Sequence, residues 1–442
     1  MTTDLRRGAF ALAVASLLSA CAKPGADTAA TSTPTATTPA TRTAPRSAVA
    51  MSPWTLPIDA AQQPDLAVTP DGSLLMSWIE QTGDMQRLWF SRWRDGRWSA
   101  PQSIAQGEGI GNGADTPHLR QTPDGALWAT WLRKRGSGHA RDIVIARSAN
   151  GGLTWSAPAP VNTDGTATEH GFASLWADGP ASLGVAWLDG RETGGEHAHD
   201  MHAMHGSGGH GGMHDAGPEH ATMLRTAVFD AQLARHDESV IDTATCDCCQ
   251  TDVAVLADGP RLVYRDRAPG EIRDIALLTH AGKRWSSPTL VHVDNWRMPA
   301  CPVNGPAIAG DARDVSVAWY TMRGDTPTVR FARSADGGAT FGDSIDLASA
   351  ADVQGRVDVA LDATGAWVAW LTEASEAQAL HLAHVPTAAA APDRTMIAAT
   401  LAGRGRATGW PRLVVSDGTL HAVWTDVHDG HPVLHGATMP VQ

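Results

Sequence analysis

Residues 126–131 read Ala-Leu-Trp-Ala-Thr-Trp, a short apolar run that ends on an aromatic residue. Six further segments end in the same way, at Trp78, Trp187, Tyr264, Trp319, Trp370 and Trp424. With Trp131 included, successive aromatics are 53, 56, 77, 55, 51 and 54 residues apart. A period of about 50 residues indicates one repeat architecture rather than several unrelated domains.

Each repeat offers four strand-like pieces. In the second repeat they lie at 116–122, 126–132, 142–148 and 155–161, separated by glycine, asparagine and aspartate turns. No stretch has a convincing helical period. Four strands per repeat predict an all-β fold, a single β-propeller. We expect seven four-stranded blades, and six is the alternative if one repeat is misread.

The last repeat has only three strand-like pieces, at 412–415, 419–424 and 432–436. A fourth is offered by Trp54–Ile58, which matches the fourth-strand segments that begin at Trp98 and Trp285. We therefore predict that Trp54–Ile58 completes the last blade and closes the ring.

Two turns resemble a known family motif. Residues 148–155 read Ser-Ala-Asn-Gly-Gly-Leu-Thr-Trp and residues 334–341 read Ser-Ala-Asp-Gly-Gly-Ala-Thr-Phe, with degenerate versions at 94–98 and 281–285. They resemble the Asp-box, or bacterial neuraminidase repeat, of sialidase-like propellers. Asparagine or aspartate caps such a turn and glycine permits positive φ. The resemblance covers residues 51–442, and it implies a structural turn between third and fourth strands, opposite the usual active face.

The same resemblance implies an alternative function, that of a glycoside hydrolase of the exo-alpha-sialidase type. Such enzymes use three arginines, a tyrosine nucleophile assisted by a glutamate, and an aspartate acid/base. The expected Arg-Ile-Pro signature is absent from the first repeats, and its nearest match is Arg297–Pro299. Arg120, Arg356 and Arg412 lie in or beside first strands, and Tyr320 follows a second strand. We assign no catalytic residue, and we favour a non-enzymatic function.

The N-terminus predicts a lipid-anchored protein of the cell envelope. Residues 1–20 have a charged start, a short apolar run and then Leu-Ser-Ala before Cys21, which resembles a lipoprotein signal peptide. Cys21 would carry the lipid, and Ala22 after it favours the outer membrane, facing the periplasm. The alternative is an ordinary signal peptide with an incidental cysteine. Residues 21–50 are rich in Thr, Pro and Ala, so we predict a disordered tether before the propeller at 51–442.

The one long interval between repeat aromatics contains an insertion at 192–223 that is rich in histidine and methionine. Imidazole suits several first-row metals and thioether suits Cu(I), so this mixture favours copper. It resembles the methionine- and histidine-rich segments of periplasmic copper-handling proteins, and the alternative is a low-complexity surface insertion. The candidate ligands are His197, His199, Met201, His202, Met204, His205, His210, Met213, His214 and His220.

Four further cysteines form a second candidate metal site. Cys246, Cys248 and Cys249 lie in Thr-Cys-Asp-Cys-Cys-Gln-Thr, and Cys301 lies in a later inter-blade loop. In a propeller both loops open on the same face as the insertion. Two readings stay open: two disulfide bonds, with Cys301 a natural partner for Cys248 or Cys249, or thiolates that bind Cu(I). The spacing does not match a structural zinc site.

The net charge of the chain argues against one class of partner. A formal net charge of −13, a pI of about 5.8 and the lack of a basic stripe argue against a nucleic-acid partner. We expect an envelope lipoprotein that binds a metal ion, most favourably copper, for sequestration or transfer. Its other partner would be a periplasmic or outer-membrane protein, and no nucleotide cofactor is expected. The remaining alternative is a non-catalytic protein- or glycan-binding propeller.

Overall fold

The computed structural model describes residues 50–441, except 137, 139, 195–219, 283 and 376. Seven antiparallel sheets make up this part of the chain, and the helix described there is of the 3₁₀ type, in short turns at Arg323–Asp325 and Gly405–Thr408 and at His220. Among the described residues, no helix has the length and apolar character needed to cross a bilayer.

The strands are numbered in chain order. The first is β1 (Ser52–Pro53). Blade 1 contains β2 (Gln62–Val68), β3 (Leu74–Thr82), β4 (Met85–Arg94), β5 (Arg97–Trp98) and β6 (Gln102–Gly107). Blade 2 contains β7 (His118–Gln121), β8 (Leu127–Lys134), β9 (Arg141–Ser148) and β10 (Ala159–Pro160). Blade 3 contains β11 (His170–Ala177), β12 (Leu183–Asp189), β13 (Met223–Phe229) and β14 (Arg235–Asp242).

The second half of the ring follows the same plan. Blade 4 contains β15 (Asp252–Leu256), β16 (Gly259–Arg265), β17 (Ile275–Ala281), β18 (Arg284–Trp285) and β19 (Thr289–Leu290). Blade 5 contains β20 (Ala307–Asp311), β21 (Asp314–Thr321), β22 (Thr328–Ser334) and β23 (Ile345–Ser349). Blade 6 contains β24 (Val353–Leu361), β25 (Gly365–Glu373), β26 (Gln378–Pro386) and β27 (Arg394–Leu401). Blade 7 contains β28 (Arg412–Ser416), β29 (Thr419–His428) and β30 (His431–Pro440).

The first strands of the blades form the inner wall of the ring. Each contacts the first strand of the next blade, and β28 of blade 7 contacts β2 of blade 1. The ring therefore closes with seven blades, as the repeat predicts, and the six-bladed alternative is wrong.

Blade 7 is completed by the N-terminal segment. Ser52 and Pro53 pair with Thr438 and Ala437 of β30, and the Trp54 amide donates to the Gly436 carbonyl at 2.8 Å. The N-terminal closure is confirmed, but the pairing begins two residues before the predicted Trp54–Ile58. The ring of Trp54 is buried and packs against Trp98 with centroids 4.8 Å apart, while its amide continues the pairing with β30.

The repeat aromatics lie in the second strand of each blade and fill the space between neighbouring blades. Trp187, Trp319 and Trp370 are almost completely buried, and each belongs to an apolar cluster that combines strands of adjacent blades. Large aromatic side chains contribute most of the area that such cores remove from water. This packing explains why one aromatic per repeat suffices to mark the fold.

The Asp-box turns lie between third and fourth strands, as expected. In the turn after β9, the Ser148 hydroxyl accepts the Gly152 amide at 2.9 Å and Asn150 Oδ1 accepts the Thr154 amide at 3.0 Å. Gly152 has a φ of +92°, and a Cβ there would overlap the ring of Phe90. Glycine is thus required both by the backbone conformation and by the close approach of a side chain.

Candidate functional site

The predicted metal-binding segments belong to one face of the ring. We call upper face the face formed by two sets of loops: those that join the fourth strand of a blade to the first strand of the next, and those between second and third strands. The loop 243–251 leads from β14 to β15, and the loop 291–306 leads from β19 to β20. The insertion leads from β12 to β13. Its residues 195–219, like Cys21, lie outside the described residues.

The structure brings the four cysteines of the upper face together. Cys246 pairs with Cys249 and Cys248 with Cys301, which makes two disulfide bonds when the cysteines are oxidised. The Sγ atoms of Cys246, Cys248 and Cys301 all lie within 4.8 Å of one another. Cys246 and Cys249 are buried, whereas Cys248 and Cys301 are half-buried. We call these four residues the cysteine cluster.

Backbone hydrogen bonds fix the loop 243–251, which we call the cysteine loop, against blade 4 and against the end of the insertion. The Cys246 amide donates to the Arg265 carbonyl at 3.0 Å, and the Thr245 amide donates to the Thr222 carbonyl at 2.8 Å. Thr222 directly precedes β13, so the insertion returns to the sheet beside the cysteine loop. His220, the one predicted histidine ligand within the described residues, is exposed, and its Nδ1 lies 3.2 Å from the Glu192 carbonyl.

Ionisable groups surround the cysteine cluster. Arg267 donates to Glu271 at 2.8 Å and lies 3.9 Å from Asp247, within the cysteine loop. Burial, together with the charge of nearby Asp242, raises the pKa of Asp266 to about 6. The upper face next to the cysteines is therefore rich in charge, and it includes a carboxyl that titrates close to neutral pH.

A buried ion network holds the base of the insertion. Nε2 of His170 lies 3.1 Å from Asp164 and 3.6 Å from Asp189, and Arg191 binds both oxygens of Asp189 at 2.7 Å. Burial alone would lower the pKa of His170, but hydrogen bonding to Asp189 and the two carboxylate charges raise it. The carboxylates of Asp164 and Asp189 favour the protonated form of His170, and Arg191 balances the charge of Asp189. We therefore interpret the network as the structural anchor of the insertion.

A second polar site lines the axis of the ring and was not predicted. In every first strand, one residue pairs with the residue just before the repeat aromatic of the second strand. We call these seven residues the axial ring: Asp65, His118, Ser174, Asp252, Ala307, Asp358 and Arg412. The charge of Arg412 acts on Asp65, Asp252 and Asp358, which belong to three different blades. These charged side chains therefore lie near one another around the axis.

Three carboxylates of the axial ring also join neighbouring blades. Asp65 accepts the Leu119 amide at 3.1 Å, Asp252 accepts the Ile308 amide at 2.9 Å, and Asp358 accepts the Leu413 amide at 2.6 Å. Their sequence signal is an aspartate within a first strand, from its first residue at Asp252 to its second half at Asp358. That signal is weak, because aspartate is common in the turns that precede strands.

The axial carboxyls have opposite protonation preferences. Burial raises the pKa of Asp358 to about 7, an effect that nearby Asp252 reinforces and Arg412 opposes. Burial would also raise the pKa of Asp65, but Arg120, which donates to it at 2.6 Å, and His118 outweigh burial and hold that pKa well below its usual range. At neutral pH, Asp65 is ionised while Asp358 is partly protonated.

Most side chains considered for a sialidase site are engaged in the fold. Arg120 binds Asp65, and Arg356 donates to the Thr408 hydroxyl at 2.9 Å and to the Gly409 carbonyl. Tyr320 is 9% exposed and burial raises its pKa, which opposes formation of a nucleophilic phenolate. Arg412 differs, since its buried Nε has no hydrogen-bond partner among the described residues. It is the sequence-predicted arginine that remains available for a ligand.

Comparisons with known proteins return structural likenesses. No protein-family model and no curated protein matches the chain. A protein of unknown function from Dyadobacter fermentans is 14% identical, with 90% of this chain and 99% of that chain covered and a TM-score of 0.47. An alpha-L-arabinanase of Penicillium chrysogenum is 14% identical (89% and 97% covered, TM-score 0.45). The NanB sialidase of Streptococcus pneumoniae is 9% identical (83% of each chain, TM-score 0.43). Likeness at this level transfers no substrate or activity to this chain.

Proposed function

We propose that the upper face of this propeller binds a soft metal ion, copper as Cu(I), with the reduced cysteine cluster as the centre of the site. The observation that carries the proposal is the convergence of Cys246, Cys248 and Cys301, whose Sγ atoms lie within 4.8 Å of one another although Cys301 comes from a different loop. Thiolates are the ligands that Cu(I) prefers.

The dimensions of the cluster support this reading. Metal–sulfur bonds of about 2.3 Å place the sulfurs of one ion roughly 4 Å apart. The structure pairs these sulfurs as Cys246–Cys249 and Cys248–Cys301 disulfides, so both bonds must be reduced before the thiolates can take up this separation around an ion. Cys248 and Cys301 are half-buried, so an ion has access from the upper face while Cys246 and Cys249 shield it from below.

The neighbouring insertion gives the site a source of metal. Because Thr222 hydrogen-bonds to Thr245, the C-terminal end of the insertion lies next to the cysteine loop. Under the proposal, imidazole and thioether groups of the insertion capture copper, and the thiolates retain it more tightly. The protein would then sequester copper or pass it to a partner at the cell envelope, where a lipid on Cys21 would hold it.

The test is a Cu(I) titration of the reduced full-length chain without oxygen, against a coloured Cu(I) chelator as competitor. The key variant carries Cys248→Ser and Cys301→Ser. Its control keeps all cysteines and has alanine at the seven histidines of the insertion. We expect the cysteine variant to lose the tightest equivalent of Cu(I) and the control to keep it. Equal retention by the cysteine variant, or thiols that copper does not protect from alkylation, would refute the proposal.

A second candidate function is glycan cleavage at the axial ring, on the side of the upper face. Most glycoside hydrolases other than sialidases pair an ionised with a protonated carboxyl, and Asp65 and Asp358 have these two preferences. The unpartnered Nε of Arg412 supports an anionic ligand there. Release of sialic acid from a fluorogenic sialoside that disappears in Arg412→Ala would support it. Absence of release from sialosides and arabinan by the intact chain would remove this candidate.

A further inference from the structure

The hairpin of blade 7 carries a group of side chains that neither the cysteine cluster nor the axial ring includes. Strands β29 and β30 are joined by Asp429 and Gly430, whose φ values of 52° and 80° make a two-residue hairpin turn. The turn belongs to the upper face, since it joins a second strand to a third strand.

The strand register places three metal-binding side chains on one face of this hairpin. His435 pairs with Trp424, and Asp426 and His428 follow Trp424 at intervals of two residues. Side chains two residues apart point to the same face of a strand, and so do directly paired residues. One ligand atom from each of Asp426, His428 and His435 lies within 4.8 Å of the other two.

Asp426 is held in a fixed orientation by the neighbouring blade. Its Oδ1 accepts the Gly403 amide at 2.7 Å, and its Oδ2 accepts the Ala402 amide at 3.1 Å. Both amides belong to the loop that follows β27 of blade 6. The Nε2 of His428 lies 3.1 Å from Asp426 Oδ2, close to the separation of about 3.3 Å between two ligands of one ion with 2.0 Å bonds.

His435 supplies an independent indication of a ligand. Its ring stacks on Trp424 with centroids 5.9 Å apart and an interplanar angle of 23°. Its Nε2 is buried, yet it has no hydrogen-bond partner among the residues that the structure describes. A buried polar atom without a partner is costly, and such atoms often mark an ion or water site. His428 is exposed, so the group remains open to solvent on one side.

From this geometry we propose that Asp426, His428 and His435 bind a divalent transition-metal ion of the zinc and copper class. Two imidazoles and one carboxylate form a borderline donor set, in contrast to the soft thiolates of the cysteine cluster. Three protein ligands leave at least one coordination position for water or a partner's side chain, as in open zinc sites. The site lies at the junction of blades 6 and 7, whereas the cysteine-containing loops lead into blades 4 and 5, and it shares no residue with the cysteine cluster.

The test is Zn²⁺ binding to the oxidised full-length chain, in which disulfide bonds remove the thiols from competition. Metal content after equilibrium dialysis is compared for wild type, His428→Ala and His435→Phe. The phenylalanine keeps a ring on Trp424 but removes Nε2. The matched control is His236→Ala, which removes an exposed histidine whose Nε2 lies 2.9 Å from Asp230.

We expect each ligand variant to bind one equivalent less Zn²⁺ than wild type, and the control to bind the wild-type amount. Crystals soaked in Zn²⁺ should show an anomalous peak between the three side chains. The proposal is overturned if both ligand variants retain the wild-type stoichiometry, or if the soaked crystals show no peak there. Because His428 is exposed, its replacement tests binding without disturbing the core.

Discussion

Asp65 and Asp358 occupy equivalent positions in the axial ring, and the same substitution should change stability in opposite directions at the two sites. Each carboxylate accepts a backbone amide from the next blade, and an asparagine oxygen can accept that amide as well. The sites differ in charge: Asp65 has Arg120 at 2.6 Å, whereas Asp358 has no ion-pair partner within 4.0 Å among the described residues. Replacement by asparagine removes the negative charge, and at Asp358 it also removes one acceptor, because Oδ1 of Asp358 accepts the Val359 amide at 3.0 Å while Oδ2 accepts the Leu413 amide.

The pKa values give the sign and size of each effect. The carboxyl of Asp358 is 7% exposed, and its pKa rises from the ordinary 3.8 to about 7 on folding. The folded state then binds its proton more tightly than the unfolded state, so stability falls as pH increases from about 4 to 7. The cost of the charge is about 4 kcal/mol at pH 8 and about 1.5 kcal/mol at pH 5.

Asp358→Asn should therefore stabilise the protein by about 3 kcal/mol at pH 8, the charge effect less about 1 kcal/mol for the lost hydrogen bond to Val359, and by much less at pH 5. Asp65→Asn should destabilise it by about 2 kcal/mol at both values, because the depressed pKa of Asp65 keeps it ionised at pH 5 and 8 and the substitution leaves Arg120 unpaired. For a folded unit of about 390 residues, 1 kcal/mol corresponds to roughly 1 °C in Tm.

The assay is thermal unfolding followed by circular dichroism, at pH 5 and pH 8, for wild type and both variants at one scan rate. We expect Tm to rise by about 3 °C for Asp358→Asn at pH 8, with a smaller rise at pH 5. A loss of stability in Asp358→Asn at pH 8, or equal shifts at the two pH values, would refute the reasoning from burial and charge.

Three further predictions concern the fold. Gly152→Ala should lower the free energy of unfolding by about 3 kcal/mol, because the new Cβ adds strain at positive φ and overlaps the ring of Phe90. Gly125→Ala, at positive φ in open space, should lower it by only about 1 kcal/mol. Urea unfolding of the two variants compares these costs. Arg265→Met removes four hydrogen bonds from a buried guanidinium to backbone carbonyls, and Tm should fall by the equivalent of about 3 kcal/mol or more; an unchanged Tm would contradict a structural role. Ser334→Ala should cost about 1 kcal/mol in the second Asp-box, and hydrogen exchange should show loss of protection confined to that turn.

The blade count and the closure followed from the sequence because they depend on local patterns. Each blade buries an aromatic side chain from its second strand, so one tryptophan such as Trp187 or Trp319 per period is visible without any long-range information. The predicted closing strand was displaced by two residues, since pairing with β30 begins at Ser52 and continues to the amide of Trp54, whose buried ring anchors the segment. Strand limits depend on such packing, which a local pattern does not contain.

The site could be predicted only in part. The loop rule for propellers placed the cysteines on one face, and the structure pairs Cys248 with Cys301, one of the partners that the sequence left open. Residues 195–219 of the insertion at 192–223 lie outside the described residues, so its copper ligands, with the described His220, stay a prediction. The axial ring as a site, and the group formed by Asp426, His428 and His435, were not predicted from the sequence. Each combines residues that come together only in the closed ring.

The amino-acid sequence by itself determined the repeat, the all-β class and the seven blades, because alternation, turn residues and one aromatic per blade act over short distances along the chain. Tertiary structure decided which polar side chains meet. Arg412 faces Asp65 only because blade 7 contacts blade 1, and the loop after β27 orients Asp426 only because blades 6 and 7 pack together. Burial at these junctions also sets the charge of Asp358, since desolvation depends on the whole ring and not on its neighbours in sequence.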